Sequence, residues 1–285
     1  LFFGSSRAAA GTGNSSESKP IGGSSSVSST ASRAGEVALP EKSSGSGGGG
    51  AGGGAVRAAV SITGGTTTLA TGGTLTAAGL NLAAAGTLRS DNTVTVNGTT
   101  VLAGTIETTT GGNPVALVIA NNAPANFNSG GNTLASFIKN GNNTLTFTGN
   151  ALSVSGSFTQ TAGAIDFGSF AVTAGDNVTV TSISNPGLFT MTGSADGAAT
   201  LTTNNQDLAA GLSVTGGTTT LASNLDTGPL TVSAGAVLAA VGFSVDTNGN
   251  VTLPASGYTK SAGADFIVRT GDLTSGGNRL GDLFV

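Results

Sequence analysis

The octapeptide TGGTTTLA occupies residues 63–70 and returns unchanged at residues 215–222. The similarity extends upstream, where VSI at 60–62 has its counterpart in LSV at 212–214. Similarity of a chain to itself is typical of architectures built from stacked structural repeats. The two copies therefore indicate a repetitive fold.

Short segments with alternating apolar residues fill the chain from residue 58 onward. They are rich in β-branched and aromatic side chains and are bounded by Gly, Asn or Asp, which is typical of β-strands joined by tight turns. No stretch shows the 3.6-residue periodicity of a helix. Clear examples are LNL 80–82, VTV 94–96, LTF 145–147, LSV 152–154, VTV 178–180, LTV 230–232 and VTL 251–253.

Two residue types recur at intervals near ten or twenty residues. A repeat of about 20 residues matches one coil of a β-solenoid with two or three short strands. Residues 58–285 are then predicted to form about eleven coils, on the order of 55 Å long, with the octapeptide copies seven or eight coils apart. A β-sandwich is the alternative. The recurring residues are Asp166, Asp176, Asp196, Asp207, Asp226, Asp246 and Asp265, and Phe137, Phe147, Phe158, Phe167 and Phe189.

The strand phase predicts which side chains form the core. Stacked coils place equivalent positions above one another, so inward apolar residues form ladders in a dry interior. We predict that one core contains Leu145, Phe147, Leu152, Val154, Phe158, Ile165 and Phe167.

Residues 1–57 have a different composition, with SSESKPIGGSSSVSSTAS followed by SSGSGGGGAGGGA at 43–55. Such a segment buries too little apolar surface to offset the entropy of ordering. It is predicted to be a disordered or extended linker or stalk. The domain boundaries are therefore 1–57 for the linker and 58–285 for the solenoid.

Composition excludes several function classes. The chain has no Cys and no His, which removes thiol catalysis, a Ser-His-Asp relay and the commonest transition-metal ligands. Charged residues are 8 % and the net charge is −4, which argues against nucleic-acid and anionic-membrane partners. No apolar run approaches the roughly 18 residues that span a bilayer, so membrane insertion is not expected.

The segments NGNNTLTFTGNALSVSGSFTQTAGAIDFGSFAVTAGDNVTVTS at 140–182 and GLSVTGGTTTLASNLDTGPLTVSAGAVLAAVG at 211–242 resemble the strand repeats of bacterial exported surface proteins. The similar families are filamentous-haemagglutinin-type adhesins and autotransporter passenger domains. This resemblance implies a right-handed parallel β-helix, an extracellular or cell-surface location, and roles in adhesion, biofilm or surface coating.

One segment is a weak calcium candidate. Asp246, Asn248 and Asn250 have the spacing of the first oxygen ligands of a calcium loop. However, Val251 stands where that motif has Gly and Gly257 where it has Glu, and a tight turn stabilised by Asp and Asn explains the same residues. No cofactor is otherwise expected.

Acidic residues suggest two further possibilities. The spaced Asp residues form either a cation-binding carboxylate ladder between coils or solvated corners, and the corners are favoured. Asp265, Arg269 and Asp272 are the only dense charged group that a polysaccharide-cleaving site could use, so no catalytic residue is assigned.

The resulting expectation is a non-enzymatic, exported rod with structural or adhesive function. Its Thr-, Asn- and Ser-lined faces would bind glycans or other cells through many weak contacts. Unpaired strand edges at the ends, with apolar residues at 60–62 and 283–285, would join subunits end to end or belong to a longer fibre. The alternatives are an ice-binding solenoid, which would need pairs such as Thr74/Thr76 and Thr144/Thr146 in register on one face, and a β-helix polysaccharide depolymerase.

Overall fold

The fold of the chain was obtained as a computed structural model that describes residues 27–28, 58–69, 74–193, 197–281 and 283–284. The predicted linker at 1–57 lies outside this part of the chain, apart from strand β1 (Val27–Ser28). Asp196 of the predicted Asp rhythm and Val285 of the predicted apolar end also lie outside it.

The chain winds into coils of three strands, and each strand contributes to one of three faces. Thirty-four strands, numbered along the chain, occur in the described residues. Face 1 contains β1 (Val27–Ser28), β2 (Ala59–Ile62), β5 (Gly79–Leu82), β8 (Thr100–Leu102), β11 (Ala125–Asn128), β14 (Leu145–Phe147), β17 (Ile165–Asp166), β20 (Ile183–Ser184), β23 (Asp207–Leu208), β26 (Leu225–Thr227), β29 (Val245–Asn248), β32 (Phe266–Thr270) and β34 (Leu283–Phe284).

The other two faces follow the same order. Face 2 contains β3 (Gly65–Thr68), β6 (Gly86–Arg89), β9 (Thr105–Glu107), β12 (Thr133–Leu134), β15 (Leu152–Val154), β18 (Val172–Ala174), β21 (Phe189–Met191), β24 (Leu212–Val214), β27 (Leu230–Val232), β30 (Val251–Thr252) and β33 (Leu273–Thr274). Face 3 contains β4 (Leu75–Ala77), β7 (Val94–Val96), β10 (Ala116–Ile119), β13 (Ser136–Lys139), β16 (Phe158–Gln160), β19 (Val178–Thr179), β22 (Ala198–Thr202), β25 (Thr218–Leu221), β28 (Val237–Ala240) and β31 (Tyr258–Lys260).

All pairings among the described strands are parallel, and most join equivalent strands of successive coils, three strands further along the chain, as in Leu145↔Ile165 and Leu212↔Leu230. The prediction of an all-β, parallel β-solenoid with about 20 residues per coil is confirmed, with about 11 coils. The β-sandwich alternative is wrong, because no antiparallel pairing occurs among the described strands. The described residues contain no helix.

Face 3 is one continuous ten-stranded sheet, whereas each of the other faces is interrupted once. Face 2 breaks between β9 and β12, and face 1 breaks between β20 and β23. A side-chain amide replaces a missing strand contact at each break. The Oδ1 of Asn132 accepts from the backbone N–H of Ile106 at 3.3 Å, and the Oε1 of Gln206 accepts from that of Ile183 at 3.0 Å. The breaks therefore leave both backbone donors satisfied.

The core is a ladder of apolar side chains along the coil axis. All seven residues predicted to share it are buried, so this prediction is confirmed. Aromatic rings dominate the middle coils, with centroid separations between 4.9 and 6.4 Å. The sequence rhythm did not include Phe127, which packs 5.1 Å from Phe137 and also 5.1 Å from Phe147.

The two octapeptide copies occupy different faces. The first copy forms β3 on face 2 of the first coil, and the second forms β25 on face 3 of the eighth coil. They are therefore seven coils and one face apart, within the predicted seven to eight coils. The same local geometry serves both places, because Gly65 and Gly217 each turn the corner with positive φ, at 70° and 56°.

Polar side chains inside the corner between faces 3 and 1 join successive turns. Lys139 is fully buried, and its Nζ donates to the carbonyl oxygens of Gly141 and of Ala162 in the next coil. Burial lowers the pKa of Lys139, because the charged ammonium loses its hydration. One coil further, the Nε2 of Gln160 donates to Gly163 O at 2.7 Å and to Ser182 O at 2.8 Å.

Candidate functional site

A single file of hydroxyl groups runs along the outside of face 2. Each of eight consecutive strands places one Ser or Thr outward, in six of them between two inward apolar residues, and the pairing register puts each directly beside the next. The row is Thr133, Ser153, Thr173, Thr190, Ser213, Thr231, Thr252 and Thr274. Seven strand spacings make it about 34 Å long. We call it the hydroxyl row.

The hydroxyl row is solvent-accessible and its side chains are uncommitted. None of the eight residues is buried, and none makes a side-chain hydrogen bond with another described residue. The hydroxyls at the adjoining corner differ, because Thr192 Oγ1 donates to Ala174 O and Thr215 Oγ1 donates to Met191 O, both at 3.3 Å. The hydroxyls of the row are therefore free to donate and to accept hydrogen bonds.

The hydroxyl row is also free of charge. The eight strands that carry it contain no Asp, Glu, Lys or Arg. The first three coils of face 2 have a shorter row of their own, Thr66, Thr87 and Thr105, beside the ion pair of Arg89 with Glu107 at 2.8 Å.

The Thr-x-Thr pairs considered for ice binding are not part of this row. The pair Thr74/Thr76 flanks Leu75 on face 3, whereas Thr144/Thr146 flanks Leu145 on face 1. The equivalent position on face 3 is interrupted by Val118 and Ile138. Sequence reasoning did not identify the hydroxyl row; the signal that could have found it is the central Ser or Thr of triplets such as LSV 152–154 and LTV 230–232.

A second feature is a column of carboxylates on face 1. Asp207, Asp226 and Asp246 lie side by side on β23, β26 and β29, and Ile267 continues the register on β32. Arg269 forms a two-pronged ion pair with Asp246, with its Nε 2.7 Å from Oδ1. The sequence-based carboxylate ladder therefore exists for three of the Asp residues, while Asp166 stands beside Thr146 and Ser184 instead.

The central carboxylate of this column, Asp226, has a raised pKa. Partial burial raises the pKa of Asp226 above its ordinary value, the charges of Asp207 and Asp246 raise it further, and Arg269 lowers it. A shallow cleft of about 230 Å³ lies beside it, lined in part by Asn224 and Ser244. No group of three or more acidic side chains in the described part of the chain is close enough to hold one metal ion.

The calcium candidates lie on and just after β29 and already have partners. Asp246 pairs with Arg269, the Oδ1 of Asn248 accepts from Thr270 Oγ1 at 2.7 Å, and the Oδ1 of Asn250 accepts from the Asp272 N–H at 3.0 Å. Alternate residues of an extended strand are about 6.6 Å apart, so the three side chains do not surround one point. Calcium binding here stays a prediction.

The charged group considered for sugar-cleaving chemistry is not assembled as a unit. Asp265 and Asp272 lie beyond opposite ends of β32, and Arg269 turns to Asp246. The arrangement separates the two carboxylates instead of placing them around a common substrate position.

Comparisons with known proteins add no identity to these features. Neither the protein-family models nor the curated proteins nor the solved structures include a match to this chain. Within the described ranges, no helix is long and apolar enough to cross a bilayer.

Proposed function

We propose that this chain is a non-enzymatic, extracellular structural or adhesive surface element of the adhesin or autotransporter-passenger type. In this role the solenoid is a stiff rod that presents a repeated surface, and weak contacts at each coil add up along its length. The observation that supports it is the hydroxyl row, which repeats one chemical group over eight coils without interruption. Glycans and other cell surfaces are the proposed partners.

The proposal includes assembly end to end, or membership of a longer fibre. Among the described strands, β34 pairs only with β32, and its residues Leu283 and Phe284 are 42 % and 56 % exposed. An open strand edge with apolar side chains is a surface that another coil can extend. Face 3 is less open there, because Asn278 accepts from the Tyr258 N–H at 3.1 Å. The first described coil is flanked on face 1 by β1.

Negative-stain microscopy with light scattering tests the assembly. We expect rods that lengthen with protein concentration, and a Leu283→Asp/Phe284→Asp variant that stays short. A matched control is Val241→Asp, since Val241 is an exposed apolar residue, 54 % accessible, away from β34. Rods of one length at all concentrations, or equal lengthening of both variants, would contradict the proposal.

Ice binding is the second candidate function. The hydroxyl row favours it along one direction only, because it places hydroxyls in register on one face, as the Thr-x-Thr pairs do not, but in a single file and not in pairs. Thermal hysteresis of the purified chain is the test, with loss of hysteresis expected after substitution of Thr190 and Thr231 by Val.

A further inference from the structure

We infer that the hydroxyl row is a binding strip for a single uncharged polysaccharide chain that lies along the rod axis. This inference deepens the proposed function and rests on it, because it names the partner class and the face. The row provides one free hydroxyl per coil over about 34 Å. A linear polymer with hydroxyls along its length is the partner that such a strip can contact repeatedly.

The charge pattern selects a neutral partner. The eight strands of the row lack charged residues, so they offer no cation to an anionic polymer and no anion to a cationic one. Among the charged residues of the C-terminal coils, Asp207, Asp226, Asp246 and Arg269 lie on face 1, and Asp272 lies at the corner just before β33. A neutral partner also predicts that binding is insensitive to salt.

Because the row is only one residue wide, it fits a linear polysaccharide better than an ice surface or a second protein. At the adjoining corner, Thr192 and Thr215 donate to backbone carbonyls, and Gly175 and Pro254 interrupt the hydroxyl residues, so this corner does not widen the row. A lattice plane such as ice needs order in two dimensions. A strip about 34 Å by 10 Å covers roughly 340 Å², well below the roughly 800 Å² per partner of a stable protein interface.

The affinity is expected to come from repetition. A hydroxyl–hydroxyl hydrogen bond in water contributes little, about 0.5–1.5 kcal/mol at best, so isolated contacts do not hold a ligand. Eight aligned contacts on one stiff rod can act together. Loss of three central hydroxyls is therefore expected to weaken retention about tenfold or more.

The test is co-sedimentation of the full chain with microcrystalline cellulose, chitin and linear β-1,3-glucan particles, in 0.1 M and 1 M NaCl. The variant is Thr173→Val/Thr190→Val/Thr231→Val, and the matched control is Thr95→Val/Thr159→Val/Thr179→Val on face 3. We expect salt-independent retention on at least one polymer, about tenfold weaker for the face 2 variant and unchanged for the control. A Thr173→Ser/Thr190→Ser/Thr231→Ser variant keeps the hydroxyls and should keep retention, which separates lost binding from lost folding.

Equal retention of the two Val variants would overturn the inference. Retention that 1 M NaCl abolishes would overturn it in favour of a charge-based partner. Absence of retention on all three particles would also overturn it, and thermal hysteresis in that protein would then assign the row to ice. The assay measures binding of single and joined rods alike. A negative result therefore tests polysaccharide binding and is distinguishable from a failure of the rods to assemble.

Discussion

Phe137 and Phe158 stack face to face in neighbouring coils, with ring centroids 5.4 Å apart and planes within 6°. Both rings are fully buried. They belong to a group in which Phe147, Phe167 and Phe189 make edge-on contacts, including a pair at 4.9 Å. This group fills the middle of the solenoid, where one lost ring leaves a cavity between two coils.

Phe158→Ala and Phe147→Ala are each expected to lower the free energy of unfolding by about 3–5 kcal/mol, because each removes a buried ring from a close-packed core. Urea unfolding followed by circular dichroism measures this loss. Val241→Ala is the control, since that side chain is 54 % exposed and lies away from β34, and it should change stability by less than about 1 kcal/mol. Unchanged stability in both core variants would show that the assigned strand phase is wrong.

Gly130 and Gly131 offer a matched pair for backbone crowding. Both have positive φ, at 61° and 81°, but a Cβ at Gly130 would collide with the carbonyl of Leu102, whereas a Cβ at Gly131 meets nothing within 4 Å. Gly131→Ala should therefore cost only the left-handed penalty of about 1–2 kcal/mol. Gly130→Ala should cost at least about 2 kcal/mol more, because the backbone of the coil below must move. Equal thermal midpoints for the two variants would count against this packing.

Tyr258 is expected to limit stability at high pH. Burial raises its pKa to about 12, and its hydroxyl is buried without a hydrogen-bond partner among the described residues. The folded state holds the proton more tightly than the unfolded chain, whose tyrosine ionises near pH 10, so this contribution is present below about pH 10 and is lost as pH rises toward about 12.

Tyr258→Phe should remove that alkaline loss and should be neutral or stabilising by up to about 1 kcal/mol at pH 7, because no hydrogen bond is broken. Thermal melts from pH 7 to 12 measure both effects. A destabilised variant at pH 7 would indicate that the hydroxyl has a partner.

Asp226→Asn should stabilise the rod at pH 7 by about 1–2 °C in thermal midpoint, since it removes a repulsive charge between Asp207 and Asp246. Because the pKa of Asp226 is raised in the folded state, protonation favours folding, and the wild type gains this stability as pH falls through that pKa toward about 3.9. The advantage of the variant should therefore disappear near pH 3.5.

The control is Asp166→Asn, at an outward position of face 1 between Thr146 and Ser184. Its carboxylate has no acidic neighbour in register and accepts from Asn185 Nδ2 and Gly168 N, both at 3.0 Å. This variant should show no gain at pH 7. A gain equal to that of Asp226→Asn would mean that the column has no specific effect.

Much of the fold could be predicted because alternation is a local property. A triplet such as Leu152-Ser153-Val154 buries its ends and exposes its centre in any strand, so the core set followed from phase alone. The buried polar side chains at the corner between faces 3 and 1 could not be predicted. Lys139 and Gln160 are of residue types usually found at the surface, and only the next coil supplies the carbonyl oxygens that accept their hydrogen bonds.

The sequence by itself determined the strands, their inward sides and the mean period of about 20 residues. Only the tertiary structure decided which strands are neighbours, and therefore that the hydroxyl row exists. Thr190 lies beside both Thr173 and Ser213, although their numbers place these at 17 and 23 residues from it. The physical reason is that backbone hydrogen bonds and core packing fix the register of each strand, while corners of different length take up the difference in residue number. The neighbours of a residue in adjacent coils are therefore set by strand pairing and not by a constant sequence separation.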